Sequence, residues 1–126
     1  MTHIDERLER REMKRFKVAE GVFAALMNHG SQLGQIKDIS EKGLSFRYID
    51  SQDEHSEARE LKIVLGSGGL CLDRVPVKKV TDFEIKSEFS FSSIKMRRIG
   101  LEFGKLTQDQ QVRLGHFIQN HTIGEA

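Results

Sequence analysis

The chain has 126 residues, of which 37% are hydrophobic and 31% are charged, and its formal net charge is +1. This length is that of one domain, and the composition is that of a folded chain rather than a disordered one. The near-neutral charge argues against a nonspecific nucleic-acid binder, and no apolar run approaches the ~20 residues of a membrane-spanning helix. The single cysteine, Cys71, cannot form an internal disulfide, which favours a reducing, cytoplasmic setting.

Residues 1–15 have no apolar stripe, so we predict that they form a flexible N-terminal arm. Between Arg7 and Lys17 the sequence holds six basic residues against two acidic ones. This local excess suits a small polyanion better than a long duplex, which needs a broader basic face. Within it, Arg11 and Arg15 place two guanidinium groups four residues apart, and each can pair with phosphate oxygens or a guanine edge.

The next part of the chain is predicted to be β-rich. Phe16–Met27 is apolar and compatible with a strand, although its alanines also permit a helix. Residues 35–39 form a short strand, and apolar and polar side chains alternate over residues 44–48, as in a half-buried strand. With the tight turn over residues 40–43 between them, these two segments predict a hairpin.

Further strands are predicted over residues 61–65, 70–85 and 97–103 from their apolar residues. Pro76 lacks a backbone N–H group and therefore indicates an edge position or a bulge. Gly100, in the middle of the last strand, indicates a bulge or a close approach of another backbone.

The sequence ends with a predicted helix. Thr107 and Gln110 have the spacing of a capping box, and an apolar face follows at helical spacing, formed by Leu114, Phe117 and Ile118. Gly115 is expected to allow close packing against the sheet, and residues 123–126 to be a frayed end. Six or seven short strands followed by one helix predict a small antiparallel β-barrel, which removes the free edges of the sheet.

The end of the predicted strand over residues 35–39 and the turn that follows it carry the most specific chemistry. Period-two alternation points Asp38 and Ser40 to the same face of an extended segment, and Gly43 permits the turn. An ionised carboxylate only accepts hydrogen bonds, so it can accept from the guanine N1 and N2 donors, while the hydroxyl can donate or accept. With the two arginines, these are the groups needed to hold a guanine nucleotide.

The two clusters together resemble the signature of the PilZ domain, a bacterial receptor for cyclic di-GMP. Arg11 and Arg15 match its Arg-x-x-x-Arg motif, and its Asp/Asn-x-Ser-x-x-Gly motif is matched by Asp38, Ser40 and Gly43. Residues 99–103 resemble the last barrel strand of the family, and a helical pattern follows. The resemblance implies an arm over residues 1–15 and, over residues 16–126, an all-β domain: a six-stranded antiparallel barrel with a C-terminal helix.

The resemblance also implies a function and a site. Arg11 and Arg15 would hold the phosphates and guanine of cyclic di-GMP, and Asp38 and Ser40 would read the guanine edge, with Gly43 shaping the turn. Arg10 and Gly100 are further candidate ligand-binding residues. The arm would close onto the barrel with the ligand and signal to an unidentified effector protein in motility, biofilm or polysaccharide control. Whether one or two ligand molecules bind stays open, although Arg10 favours two.

Other classes of function have less support in the sequence. The main alternative is a PilZ-like protein-interaction module that binds no nucleotide. An RNA-binding barrel would show exposed aromatic residues, and the chain has no Trp and one Tyr. The histidines lack metal-ligand spacing, and Cys71, among leucines, is expected to be a buried apolar residue rather than a nucleophile. We therefore expect no enzyme activity, metal, cofactor, nucleic-acid partner or membrane insertion, and a monomer or weak dimer.

Overall fold

A computed structural model describes residues 14–27, 31–49, 60–85 and 95–126. Arg10, Arg11 and the rest of the predicted arm before Lys14 lie outside these residues. The described residues form eight strands and one helix: β1 Phe16–Val18, β2 Val22–Met27, β3 Ser31–Ile39, β4 Gly43–Ile49, β5 Glu60–Leu65, β6 Leu70–Ile85, β7 Met96–Phe103, α1 Gln108–His121 and β8 Thr122–Glu125. In these ranges, no helix combines the length and apolar character needed to cross a membrane.

Six of the strands close into an antiparallel barrel. The order is β2-β5-β6-β7-β4-β3, and pairing between β2 and β3 joins the two ends. Inward-facing residues of every barrel strand form one core, whose largest fully buried members include Tyr48, Phe46, Ile36, Ile63 and Ile99. The predicted six-stranded barrel is therefore confirmed, and β1 and β8 are additional strands outside it.

The first apolar segment is two strands rather than one. β1 and β2 are separated by a turn in which Gly21 has a φ of 84°, a left-handed conformation that favours glycine. β1 pairs with the end of β3, whereas β2 pairs with its beginning. The turn therefore lets Phe16–Met27 pair with both halves of β3.

The longest strand, β6, changes its partner at Pro76. Residues up to Pro76 pair with β5, and residues from Val77 onward pair with β7. Asp73 and Arg74 form a bulge opposite Lys62, and Arg74 adopts a φ of 51°. Pro76 therefore lies where one ladder ends and the next begins, so its missing N–H group leaves the ladders intact.

Helix α1 begins at the predicted capping box. Thr107 Oγ1 accepts the N–H group of Gln110 at 3.1 Å, and Gln110 Oε1 accepts that of Thr107 at 2.9 Å. Leu114 and Phe117 are buried against the barrel. The expected packing role of Gly115 is wrong, because a Cβ added there would meet no atom within 4 Å.

The expected frayed C-terminus is also wrong, since residues 122–125 form β8 and pair with β1. The N–H group of Ala126 donates to the carbonyl oxygen of Arg15 at 2.8 Å, and Lys14 Nζ lies 3.3 Å from Glu125 Oε1. These contacts are mainly between backbones, which carry no apolar signature in a sequence. β8 thus pairs with the edge of β1 that faces away from β3.

Cys71 is half-buried and packs against the core from β6. The sequence predicted a buried apolar residue at this position. Desolvation raises the pKa of its thiol, which keeps the thiol protonated and poorly nucleophilic.

A polar cluster ties together β4, β6 and β7. The hydroxyl of Tyr48, itself buried, lies 3.0 and 2.9 Å from the two carboxylate oxygens of Asp82, and Arg97 Nε donates to Asp82 Oδ1 at 2.8 Å. Burial and the neighbouring carboxylate raise the pKa of Tyr48 to about 12. The protonated hydroxyl is therefore part of the folded structure.

Tyr48 gives a direct optical test of this cluster because it is the chain's one tyrosine. We expect tyrosinate absorbance to appear at about pH 12 in the folded protein and near pH ~10 in denaturant. Since the folded-state pKa is the higher one, the hydroxyl's contribution to stability is complete below pH ~10 and is lost as pH rises towards the folded pKa. A folded-state midpoint near the denatured value would contradict the contact with Asp82.

Gly115 gives a test of the helix. Gly115→Ala should raise the free energy of unfolding by about 1 kcal/mol, because alanine is the better helix former and its methyl group meets open space. The matched control is Gly34→Ala, which should destabilise the protein because a Cβ there would overlap the carbonyl group of Arg47. Urea unfolding measures both, and a destabilised Gly115→Ala variant would contradict the open environment.

Candidate functional site

A row of residues with small or polar side chains crosses four barrel strands. Asp38 on β3 pairs with Ser45 on β4, Ser45 pairs with Gly100 on β7, and Gly100 pairs with Thr81 on β6. Leu44 and Phe46, on either side of Ser45, are fully buried in the core. Because side chains alternate across a strand, Ser45 and its partners face the outside of the barrel.

A β-bulge at Lys37 places Asp38 on this outer face. Ile36 pairs with Phe46 inside the barrel, and the next partners along the ladder are Asp38 and Ser45. Lys37 is therefore the extra residue of the bulge. Strict alternation from Ile36 would point Asp38 into the core, so the bulge is what turns the carboxylate outward.

Two arginines hold the Asp38 carboxylate. Arg15 Nη1 lies 2.7 Å from Oδ1, and Arg98 Nη2 lies 2.6 Å from Oδ2. The side chain of Asp38 is only 10% exposed, whereas those of Arg15 and Arg98 are 53% and 37% exposed. The arginine of the first sequence motif and the aspartate of the second are therefore in direct contact, although they are 23 positions apart in the sequence.

Ser40 lies in the turn rather than beside the carboxylate. Its hydroxyl accepts the N–H group of Lys42 at 3.1 Å and lies 3.4 Å from the carbonyl oxygen of Gly43. Its own N–H group donates to the same oxygen of Gly43 at 2.8 Å. In this structure Ser40 shapes the turn that follows Asp38.

Gly43 is needed for a different reason from the one that the sequence suggested. Its φ is not in the left-handed region, but an added Cβ would overlap the carbonyl oxygen of Leu101 on β7. A residue with a side chain would push β4 away from β7 at the start of their ladder. The glycine thus permits a close approach of two strands.

A shallow depression of about 200 Å³ lies next to the row. Gly100 and Thr81 line it together with Arg15, Lys42 and Gly43. A Cβ at position 100 would lie 2.5 Å from Thr81 Oγ1. The absence of a side chain at Gly100 therefore keeps the surface of the barrel open beside Arg15.

The structure brings most of the predicted site together. Arg15, Gly43 and Gly100 line the depression, Asp38 is paired with Arg15, and Ser40 is in the adjoining turn. Arg10 and Arg11 lie outside the described residues. The sequence reasoning missed Arg98 and Ser45: alternation places Arg98 on the same face as Gly100, but only the fold brings it to Asp38.

A larger cleft of about 440 Å³ separates helix α1 from the turn after β3. Phe103, Leu106, Leu114 and Gly115 line it together with Lys42. Among the predicted site residues that the structure describes, none lines this cleft. Among the described residues, no group of three or more His, Cys, Asp or Glu side chains could hold a metal ion.

Solved structures share this architecture at low sequence identity. The PilZ domain of Escherichia coli YcgR with c-di-GMP matches with a TM-score of 0.68 and 13% identity, over 89% of this chain and 91% of that chain. The chain has the PilZ fold. The six barrel strands and the C-terminal helix that the motif resemblance implied are thereby confirmed.

A second match is MrkH of K. pneumoniae. Its c-di-GMP complex has a TM-score of 0.64 and 16% identity over 84% of this chain, and its apo state has a TM-score of 0.65 and 14% identity over 85%. The chain spans about half of MrkH, 48% and 47% of those two chains. No family model and no curated protein matches the sequence.

The two ion pairs of Asp38 should differ in strength. We expect a coupling free energy of about 1–2 kcal/mol between Asp38 and Arg98, and below ~1 kcal/mol between Asp38 and Arg15, because the more exposed arginine is better solvated. Double-mutant cycles built from alanine variants in urea unfolding measure both. Equal couplings, or a stronger one for Arg15, would contradict this order.

Proposed function

We propose that this chain is a receptor for cyclic di-GMP. The observation that carries the proposal is the contact between Arg15 and Asp38, which joins the two sequence motifs beside an open depression on the barrel. YcgR and MrkH, which share the fold, have structures with c-di-GMP. Because their sequence identity to this chain is low, the proposal depends on the site residues of this chain.

The chemistry of Asp38 and Arg15 suits a guanine base next to a phosphate. The Asp38 carboxylate accepts hydrogen bonds, and guanine offers donors at N1 and N2. Arg15 contacts Asp38 through Nη1, and its exposed guanidinium group has further N–H groups that can donate to a phosphate oxygen. Lys42 adds a second cation at the depression, whose lining also includes the acidic residue Glu102.

The proposed signal is a movement of the N-terminal arm. Arg10 and Arg11 would join Arg15 on the ligand, so that the phosphate charges draw the basic segment onto the barrel. Ordering this segment costs conformational entropy, which the new contacts must exceed. The moved arm would then be recognised by an effector protein in motility, biofilm or polysaccharide control, and the chain itself would catalyse no reaction.

One observation favours the alternative, a protein-interaction module that binds no nucleotide. Both carboxylate oxygens of Asp38 already accept from arginines. The cluster of Asp38, Arg15 and Arg98 can therefore have a purely structural role, because a carboxylate that is largely buried needs such partners. In that case the cluster would fasten β1 and β7 to β3 and have no ligand.

Titration calorimetry with cyclic di-GMP separates the two functions. We expect saturable binding to the full chain, with no comparable heat from GTP or cyclic di-AMP. The measured stoichiometry would also decide between one and two ligand molecules. A folded sample that gives no binding heat would overturn the receptor proposal and leave the interaction module.

Arg15→Ala should weaken binding of cyclic di-GMP by about tenfold or more, because it removes charged hydrogen bonds to the ligand. The matched control is Arg113→Ala, which removes an arginine paired with Asp109 on the surface of α1. Calorimetry of both variants should show the loss in Arg15→Ala alone. An Arg15→Ala variant with the affinity of the unmodified chain would contradict the assigned site.

A further inference from the structure

Arg98 is fixed in the barrel by its backbone and by its side chain. It lies within β7, paired with Arg47 on β4 and with Phe83 on β6. Its Nε and Nη2 atoms lie 3.3 and 3.1 Å from Ser45 Oγ, and Nη2 also donates to Asp38 Oδ2. The guanidinium group is therefore anchored to two neighbouring strands at once.

The side chain of Arg15 is held less firmly. The backbone of Arg15 immediately precedes β1, and its carbonyl oxygen accepts the N–H group of Ala126 at 2.8 Å. Its side chain is about half exposed and contacts Asp38 through Nη1. Arg15 can therefore turn towards a ligand without disturbing the barrel, whereas Arg98 cannot.

We propose that Arg98 is a positioning residue that sets the selectivity of the site for guanine. Arg98, itself held by Ser45, donates to Oδ2 of Asp38, so that the carboxylate keeps its orientation when Arg15 turns from Oδ1 to the ligand phosphate. Oδ1 then accepts from the guanine edge. This inference rests on the proposed function, and it adds the residue that makes Asp38 a discriminating acceptor.

The physical reason is preorganisation. A carboxylate that is free to rotate must lose that freedom when it binds the base, and it can accept from other donors in other orientations. A carboxylate held by Arg98 has a fixed direction before the ligand arrives. The local charge also fits, because two arginines against one carboxylate leave one positive charge for a phosphate.

The test compares the affinities for cyclic di-GMP and cyclic di-IMP, whose hypoxanthine bases lack the 2-amino group of guanine. In the unmodified chain, we expect cyclic di-GMP to bind more tightly by about tenfold or more, the value of a hydrogen bond to a charged group. In Arg98→Ala this ratio should fall to near one. In Arg98→Lys the ratio should lie between that of the unmodified chain and that of Arg98→Ala, because an ammonium group keeps the charge but lacks the planar fork.

The control is again Arg113→Ala, which removes the same charge on α1 and should leave the ratio unchanged. Thermal melts followed by circular dichroism establish that each variant is folded. Should Arg98→Ala fail to fold, Ser45→Ala decides: it keeps the arginine, removes the hydroxyl that holds it, and should lower the ratio in the same direction.

The outcomes separate this inference from the proposed function. If the folded, unmodified chain binds neither ligand, the receptor proposal fails and the role of Arg98 fails with it. If the chain binds both ligands equally, or if the variants lose affinity for both by the same factor, the chain is still a receptor but the role of Arg98 is overturned. A merely structural role for Arg98 would give the last of these results.

Discussion

The Asp38 carboxylate is largely withdrawn from solvent, and a charge in that position must be paired. Arg98 meets this requirement from the barrel strand β7, and Arg15 meets it from the residue before β1. One acidic side chain thus connects the fixed β7 with the segment that leads to the N-terminal arm. The proposed response to a ligand depends on the difference between the two partners of Asp38: Arg98 stays in place and the side chain of Arg15 moves.

The barrel supplies the rest of the site through the spacing of its strands. The bulge at Lys37 turns Asp38 outward, and the missing side chains at Gly43 and Gly100 let β4 approach β7 and keep the adjoining surface open. Each feature is local, but each depends on the register of a closed sheet. A change in that register would separate Asp38 from Ser45 and from the arginine that both contact.

Much of this could be predicted from the sequence, because apolar alternation and a capping box are properties of neighbouring residues. The outward orientation of Asp38 could not be predicted, because a bulge interrupts the period-two alternation without leaving a pattern in the sequence. The partner of Arg98 is 60 residues away and meets it only in the fold. β8 was missed for a third reason: its contacts with β1 are made mainly by backbone groups, and Ile123 is exposed.

In the proposed complex, a guanine base docks on the outer face of the barrel at Asp38. Backbone amide shifts of the full chain, followed by NMR during titration with cyclic di-GMP, test it most directly. We expect the largest changes at residues 37–40, at Gly43 and at Gly100, with small changes along α1. Changes confined to the cleft beside Leu106 and Leu114, with none around Asp38, would place the ligand elsewhere and rule out docking at Asp38.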